Sequence, residues 1–219
     1  MTGQLHYASH AESLPGWQHD FNEDHMCADD ASGIYVVSDG VGRFSGAADA
    51  SRIVIEAAVT VLRGESPDDA EARRRWLGST LDTVNRRLQQ YVVTDPQLAQ
   101  ARTTLTLVRL HDHALDGLHV GDCRAYHLHA GGLAQLTHDH TRAYEDYQAG
   151  RIERGQLRAH EGRHKLTRAL GVNALAIPDF IHAELAPGDR LLLCSDGVTD
   201  SLDDDDIRSV LLAGETPAE

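Results

Sequence analysis

Two apolar runs in this chain end the same way. "IYVVSDG" at 34–40 and "LLLCSDG" at 191–197 each drive a hydrophobic stretch directly into Ser-Asp-Gly. Short apolar runs bounded by Gly read as buried strands, so the fold must place a carboxylate at the mouth of each. That is costly unless the charge is paired, hydrogen-bonded or bound to a metal. The glycine that follows lets the chain turn sharply and brings its carbonyl close to whatever the carboxylate holds. For one such end, an Asx turn closing the strand suffices. Two of them, with "NED" at 22–24 and "VGD" at 120–122, set acidic groups beside apolar strand residues with no basic partner close in sequence.

The bulk properties bound the answer without deciding it. At 219 residues the chain suits one globular domain with a sizeable core. A formal charge of −14 argues against non-specific nucleic-acid binding, which needs basic surface. Cys27, Cys123 and Cys194 show no CxxC spacing, and an odd count does not suit a disulfide framework. No basic start followed by an apolar run marks a signal peptide, and no run approaches the ~18 apolar residues a membrane span needs. A cytoplasmic monomer is the expectation.

Along the chain, "SGAADASRIVIEAAVTVL" places Ile53, Ala57 and Val61 at helical spacing. "RGESPDD" offers Ser66 as N-cap and Pro67 at the first position of a second helix, with the stripe Leu77, Leu81, Val84 and Leu88. The middle turns to strands: "TTLTLVRL", "ALDGLHVGD" and "RAYHLHAGGLAQLT", with "AGG" as a hairpin turn. Residues 138–165 are polar and weakly periodic, a mobile surface segment or short helices. "HAELAPGDRLLLCSDG" is a strand, a Pro-Gly-Asp turn and a buried strand, and "SLDDDDIRSVLLAG" is a helix whose acidic first turn suits the dipole. Strand and helix runs are segregated rather than alternating, which predicts an α+β fold with mainly antiparallel sheets.

Clustered carboxylates without cations repel one another, and a divalent ion resolves this at least cost. Oxygen-only ligation points to Mg2+ or Mn2+ rather than zinc. The ordered series "NED", "VVSDGVG", "TTL", "HVGDCRAYHL", "LTHDHT", "LTRALG" and "LAPGDRLLLCSDGVTDSLDDDDI" resembles the PPM, or type-2C, metal-dependent serine/threonine protein phosphatases of bacterial single-domain type, from about residue 19 to residue 213. Each piece is weak alone; the ordered set is specific. The resemblance implies a four-layer α-β-β-α sandwich of two mainly antiparallel sheets flanked by helices. It also implies that Asp39 bridges two metals, with the Gly40 carbonyl and Glu23 completing the second site. Asp196 binds the first, and Asp122 and Asp200 join Asp196 at a weaker third site. Asp24 supports by hydrogen bonding, and residues 141–164 match the flap that shapes substrate access. Asp39 and Asp196 then hold a metal-bridging water or hydroxide that attacks phosphorus in line. The implied substrates are phosphoseryl and phosphothreonyl proteins, targets of a Ser/Thr kinase.

Three departures qualify the resemblance. The family places a phosphate-gripping arginine three residues before the Asn of "NED"; here that position is His19, which lacks the forked charge of Arg. Arg43 stands where the family has a small residue, and Arg102 where it has Gly; either could compensate at the phosphate, though both read first as loop changes. The family also ends in a helix and a strand reached through an Asp-Asn pair, whose aspartate is the remaining ligand of the first metal. No aspartate follows Asp206, so a C-terminally truncated domain over 1–219 is expected. The alternative function is a catalytically impaired phosphatase-like domain that binds a phosphoprotein or acts as a scaffold. Cys123 and Cys194 read as small buried hydrophobes, "DDDD" at 203–206 as a helix start rather than a calcium site, and "HDHT" at 138–141 as a strand-to-flap junction rather than a zinc pair.

Overall fold

The computed structural model describes residues 5–16, 21–42, 46–94, 98–171 and 176–218. β1 (Asp24–Asp29) and β2 (Ile34–Val41) form an antiparallel hairpin, and α1 (Gly46–Leu62) and α2 (Ala70–Val92) follow. The two-residue β3 (Arg102–Thr103) leads into β4 (Leu105–His111), β5 (Ala114–Val120), β6 (Arg124–His129) and β7 (Gly132–Gln135). Then come α3 (Arg142–Gln148), β8 (Asp179–Glu184), β9 (Arg190–Cys194), the single-turn α4 (Asp196–Thr199) and α5 (Asp204–Ala213). The β6–β7 turn places Ala130 and Gly131 both at positive φ, 48° and 80°, the geometry a tight two-residue hairpin requires.

Alternation along the strands explains the layering. The first sheet runs β1-β2-β4-β5-β8, with β3 also on β2; the second runs β7-β6-β9; every pairing is antiparallel. On β4, Leu105 and Leu107 face α1 and α2 in one core, while Val108 and Leu110 face the other way. The second core, between the sheets, joins those residues to Leu115, Ala125 and Ile181, with Leu191 and Leu193 against it. On β6 and β9 the opposite faces, Tyr126 and Cys194, meet Ile207 of α5 in a third core. Three cores between four layers give the α-β-β-α sandwich, because each strand with apolar residues on both faces must be covered twice. Among the described residues, no helix is long and apolar enough to cross a membrane.

Two local details differ from the sequence expectation. The buried stripe of α1 is Ala50, Val54, Ala58 and Leu62, with Ile55 and Val59, while Ile53, Ala57 and Val61 lie half-buried on its flank. In a helix apolar on most sides, periodicity sets the spacing but close packing sets the phase, and the small Ala47, Ala50 and Ala58 turn toward the strands. α2 starts at Asp69, not Ser66: the Asp69 carboxylate accepts the Ala72 N–H at 2.7 Å, satisfying an end amide and the helix dipole together. The stripe Leu77, Leu81, Val84 and Leu88 is buried as expected. Asp203 caps α5 through a reciprocal bond with Asp206.

β8 and β9, separated by one short turn, belong to different sheets: β8 pairs with β5 and β9 with β6. That crossing carries the second Ser-Asp-Gly to the same end of the sandwich as the first.

Candidate metal centre

The hairpin register sets Asp24 directly opposite Asp39. Asp39 is held by Thr103, at the end of β3, and by Thr104 after it. Its N–H donates to Thr104 Oγ1 at 2.9 Å, and its carbonyl accepts the Thr104 N–H at 2.9 Å and the Thr103 hydroxyl at 2.7 Å. The preceding Ser38 donates to the Thr104 carbonyl at 2.7 Å. The "TTL" segment therefore fixes the backbone from which Asp39 projects. Gly40 donates its N–H to the Glu23 carbonyl at 3.1 Å, which also accepts the Ser51 hydroxyl at 2.5 Å. A Cβ on Gly40 would stand 2.1 Å from the Ala47 carbonyl oxygen, so only glycine lets the first turn of α1 close on the strand end.

The second sheet contributes from the other side. Asp122 follows β5 and is buried. Asp196 opens α4 at the end of β9, and Asp200 closes it, its N–H donating to the Asp196 carbonyl at 2.7 Å. Ser195 Oγ donates to Asp24 Oδ2 at 2.6 Å, joining the two strand ends.

Electrostatics register the convergence. Burial, then the charges of Asp24, Asp196 and Asp122, push the Asp39 carboxyl up to about 9. Burial, then Asp196 and Asp139, push Asp122 up to about 7. Asp196 is raised by burial and by Asp200, with His164 opposing. Asp139 is itself gripped by Arg124 through two bonds of 2.8 and 2.6 Å. Buried and half-buried carboxylates that destabilise one another's charge fit a hard divalent cation, with the His164 imidazole as a nitrogen donor beside Asp196 and Asp200.

Residues 141–164 cover one side. α3 and a 3-10 turn over Arg154–Ala159 form short helices where the sequence was weakly periodic. From this segment Arg158 donates to the Asp200 carbonyl at 2.7 Å, and Arg163 approaches the Asp200 carboxylate at 3.7 Å. His164 sits between the acids, Nδ1 3.3 Å from Asp196 and Nε2 3.4 Å from Asp200. A cleft of about 510 Å³ is lined by Asp122, Asp196 and Asp200 together with Arg158, Arg163 and His164.

Of the residues expected from sequence, Asp24, Asp39, Asp122, Asp196 and Asp200 come together here, with Glu23 and Gly40 at the adjoining strand ends. His19 and Arg43 lie outside the described residues. Arg102 is not in a loop: it pairs with Val41 in β3 and donates to the Gln100 carbonyl at 3.3 Å. His164, Arg158, Arg163, Ser195 and Thr104 were not singled out as site residues. The first three lie in a polar segment with no pattern, and Ser195 and Thr104 act through bonds spanning 171 and 65 residues. "HDHT" forms the junction expected of it: His138 stacks on Tyr144, and His140 Nδ1 accepts the Gly121 N–H at 3.0 Å.

Residues 18–213 match the family described as Protein phosphatase 2C. The chain belongs to that family. Among similar protein phosphatase 2C relatives, the serine/threonine protein phosphatase PstP of Mycobacterium tuberculosis is 32% identical over 190 residues, covering 87% of this chain. The chain spans only 36% of the length of that relative. The serine/threonine phosphatase stp of Listeria monocytogenes is 30% identical over 191 residues, covering 85% of this chain and 74% of the relative. Among solved structures, the catalytic domain of PstP in complex with two manganese ions superposes with a TM-score of 0.81 at 30% identity, covering 94% of this chain and 84% of that one. The two antiparallel sheets flanked by helices are the architecture expected of a protein phosphatase 2C domain.

Proposed function

We propose that this chain is a metal-dependent serine/threonine phosphoprotein phosphatase that hydrolyses phosphomonoesters. Membership of the protein phosphatase 2C family supports the class. The observation that carries the reading is the convergence of Asp24, Asp39, Asp122 and Asp196 at the ends of the two sheets, with Asp24 opposite Asp39 and tied to Ser195, the neighbour of Asp196, at 2.6 Å. Asp39 would hold two ions, the Gly40 carbonyl and Glu23 the second, Asp196 the first, and Asp122 and Asp200 with Asp196 a third. Mn2+ or Mg2+ held by these residues would supply Lewis acidity for activating water and for neutralising phosphoryl charge.

The chain's own groups do the positioning. Thr103 and Thr104 hold Asp39, and Ser195 holds Asp24 against it. Arg158 and Arg163 bring positive charge to the cleft wall where a phosphate enters. His164 stands beside Asp196 and can hand a proton to the departing seryl or threonyl oxygen. Residues 141–164 act as the flap that limits access. The reading extends to phosphorylated protein substrates, targets of a Ser/Thr kinase, met in the cytoplasm by a monomeric domain.

The deciding experiment compares wild type with Asp39→Ala in manganese-dependent hydrolysis of p-nitrophenyl phosphate and a phosphothreonine peptide. Wild type is expected to release phosphate and the variant to lose at least roughly 100-fold in rate. Equal release by both, or none by wild type at saturating Mn2+, overturns the assignment.

A further inference from the structure

The far end of the second sheet carries a cluster that the carboxylate centre does not use. β6 runs from Arg124, beside that centre, to His129, a span of roughly 16 Å. His127 and His129 are two residues apart on the strand and share one face. Asp189, in the turn between β8 and β9, closes on both. Its Oδ2 lies 2.8 Å from His127 Nε2 and its Oδ1 2.8 Å from His129 Nδ1.

One ligand atom from each of the three residues lies within 4.8 Å of the other two. The side chains of His127 and Asp189 are only 10% and 8% exposed, whereas His129 is 59% exposed. The Ala186 N–H donates to Asp189 Oδ2 at 2.9 Å and sets the carboxylate's orientation, as outer hydrogen bonds do around metal ligands. A pocket of about 370 Å³ opens beside His129 and Asp189, lined further by Pro187, Gly188 and Gly131.

We propose that His127, His129 and Asp189 form a second metal site, for a divalent transition ion of the Zn2+ class, with its open position facing this pocket. Two neutral imidazoles and one carboxylate are a borderline-soft donor set, suited to Zn2+, Cu2+ or Ni2+ and poorly suited to Mg2+. Three protein ligands with a fourth position open is the arrangement of zinc sites that exchange a ligand. A purely structural role accounts for His127, whose bond satisfies a buried carboxylate. His127 and the Ala186 N–H both bond Oδ2, and His129 bonds Oδ1. That single bond gains an exposed imidazole little, and a bound ion accounts for its being ordered beside the pocket. The site is independent of the phosphatase assignment and stands or falls on its own.

Co2+ replaces Zn2+ in such sites and reports imidazole ligation through its visible d–d absorption. The full chain is titrated with Co2+ in excess Mg2+, and Co2+ taken up by carboxylates alone is told apart by its lack of imidazole ligation and its indifference to the His127 and His129 variants. Wild type is expected to bind one equivalent with visible bands, and Zn2+ to abolish them stoichiometrically. His129→Ala, at an exposed position that the fold tolerates, is expected to weaken this binding by at least roughly tenfold, and His127→Gln to do the same. His164→Ala, which removes the imidazole of the other centre, is expected to retain the bands. Bands that are absent from wild type, unchanged in His129→Ala, or lost only in His164→Ala overturn the proposal.

Discussion

Ser195 Oγ donates a 2.6 Å hydrogen bond to Asp24 Oδ2, across 171 residues of sequence and between the ends of the two sheets. Asp24 in turn faces Asp39 across the β1–β2 ladder. One hydroxyl therefore sets how the carboxylates of the first sheet meet Asp196, its own neighbour in sequence.

Removing that hydroxyl should loosen the centre without unfolding the domain. Ser195→Ala is expected to weaken Mn2+ binding roughly tenfold, the usual loss when an outer hydrogen bond to a metal site is removed. Isothermal titration calorimetry checks this. An unchanged affinity would mean that Asp24 is positioned by its strand alone.

Thr104 is the buried anchor of Asp39. Thr104→Val keeps the shape but leaves the Asp39 N–H without its side-chain acceptor, at a cost of about 1–3 kcal/mol. Urea unfolding should show that loss as a lower midpoint at unchanged slope. Turnover should fall further than stability accounts for, because the backbone carrying Asp39 is then free to shift. Full activity in a destabilised variant would separate the two effects and refute the positioning role.

Gly40 tolerates no side chain. In Gly40→Ala the new Cβ meets the Ala47 carbonyl oxygen at 2.1 Å and the Glu23 carbonyl oxygen at 2.9 Å, both backbone atoms that cannot swing away. Destabilisation of about 1–3 kcal/mol or more is expected, with α1 displaced from the strand end and Mn2+ affinity reduced. A variant as stable as wild type would show that this junction gives more readily than its geometry implies.

His119 should write a pH signature on stability. It is fully buried, Nδ1 2.8 Å from Thr106 Oγ1 and Nε2 3.1 Å from the His138 carbonyl. Burial, then the nearby His140, lowers its pKa to about 3. The unfolded chain protonates this histidine near its ordinary value of about 6.5, while the folded one does not. The unfolded state thus binds more protons between about 6.5 and about 3, so this contribution is fully present above that window and is lost as pH falls through it. His119→Gln is expected to flatten the acid limb of the stability curve by up to about 1.4 kcal/mol per pH unit within the window. Parallel curves for the two proteins would count against it.

The strand ends were legible in the sequence because their signal is local: an apolar run, a carboxylate and a glycine in a few consecutive residues. The same holds for the β6–β7 hairpin, the stripe of α2 and the acidic cap of α5. The phase of the α1 stripe was not legible, because a helix apolar on several sides does not announce which side meets the strands. The start of α2 was misplaced for a related reason. Ser66-Pro67 and Asp69 are both credible starts, and the fold uses the one whose charge also satisfies the helix dipole.

What the sequence by itself determined is the inventory: strands that end in acids, the segregation of strands from helices, and the ordered motifs shared with protein phosphatase 2C. What only the tertiary structure decided is which groups meet. Thr104 reaching Asp39, Ser195 reaching Asp24, His164 settling between Asp196 and Asp200, and Asp189 closing on His127 and His129 all depend on how the two sheets stack and where β9 crosses over. Contacts of this kind join residues tens to more than a hundred positions apart, and no local pattern encodes them. They follow from burying both faces of every central strand, which leaves few ways for the polar strand ends to find partners.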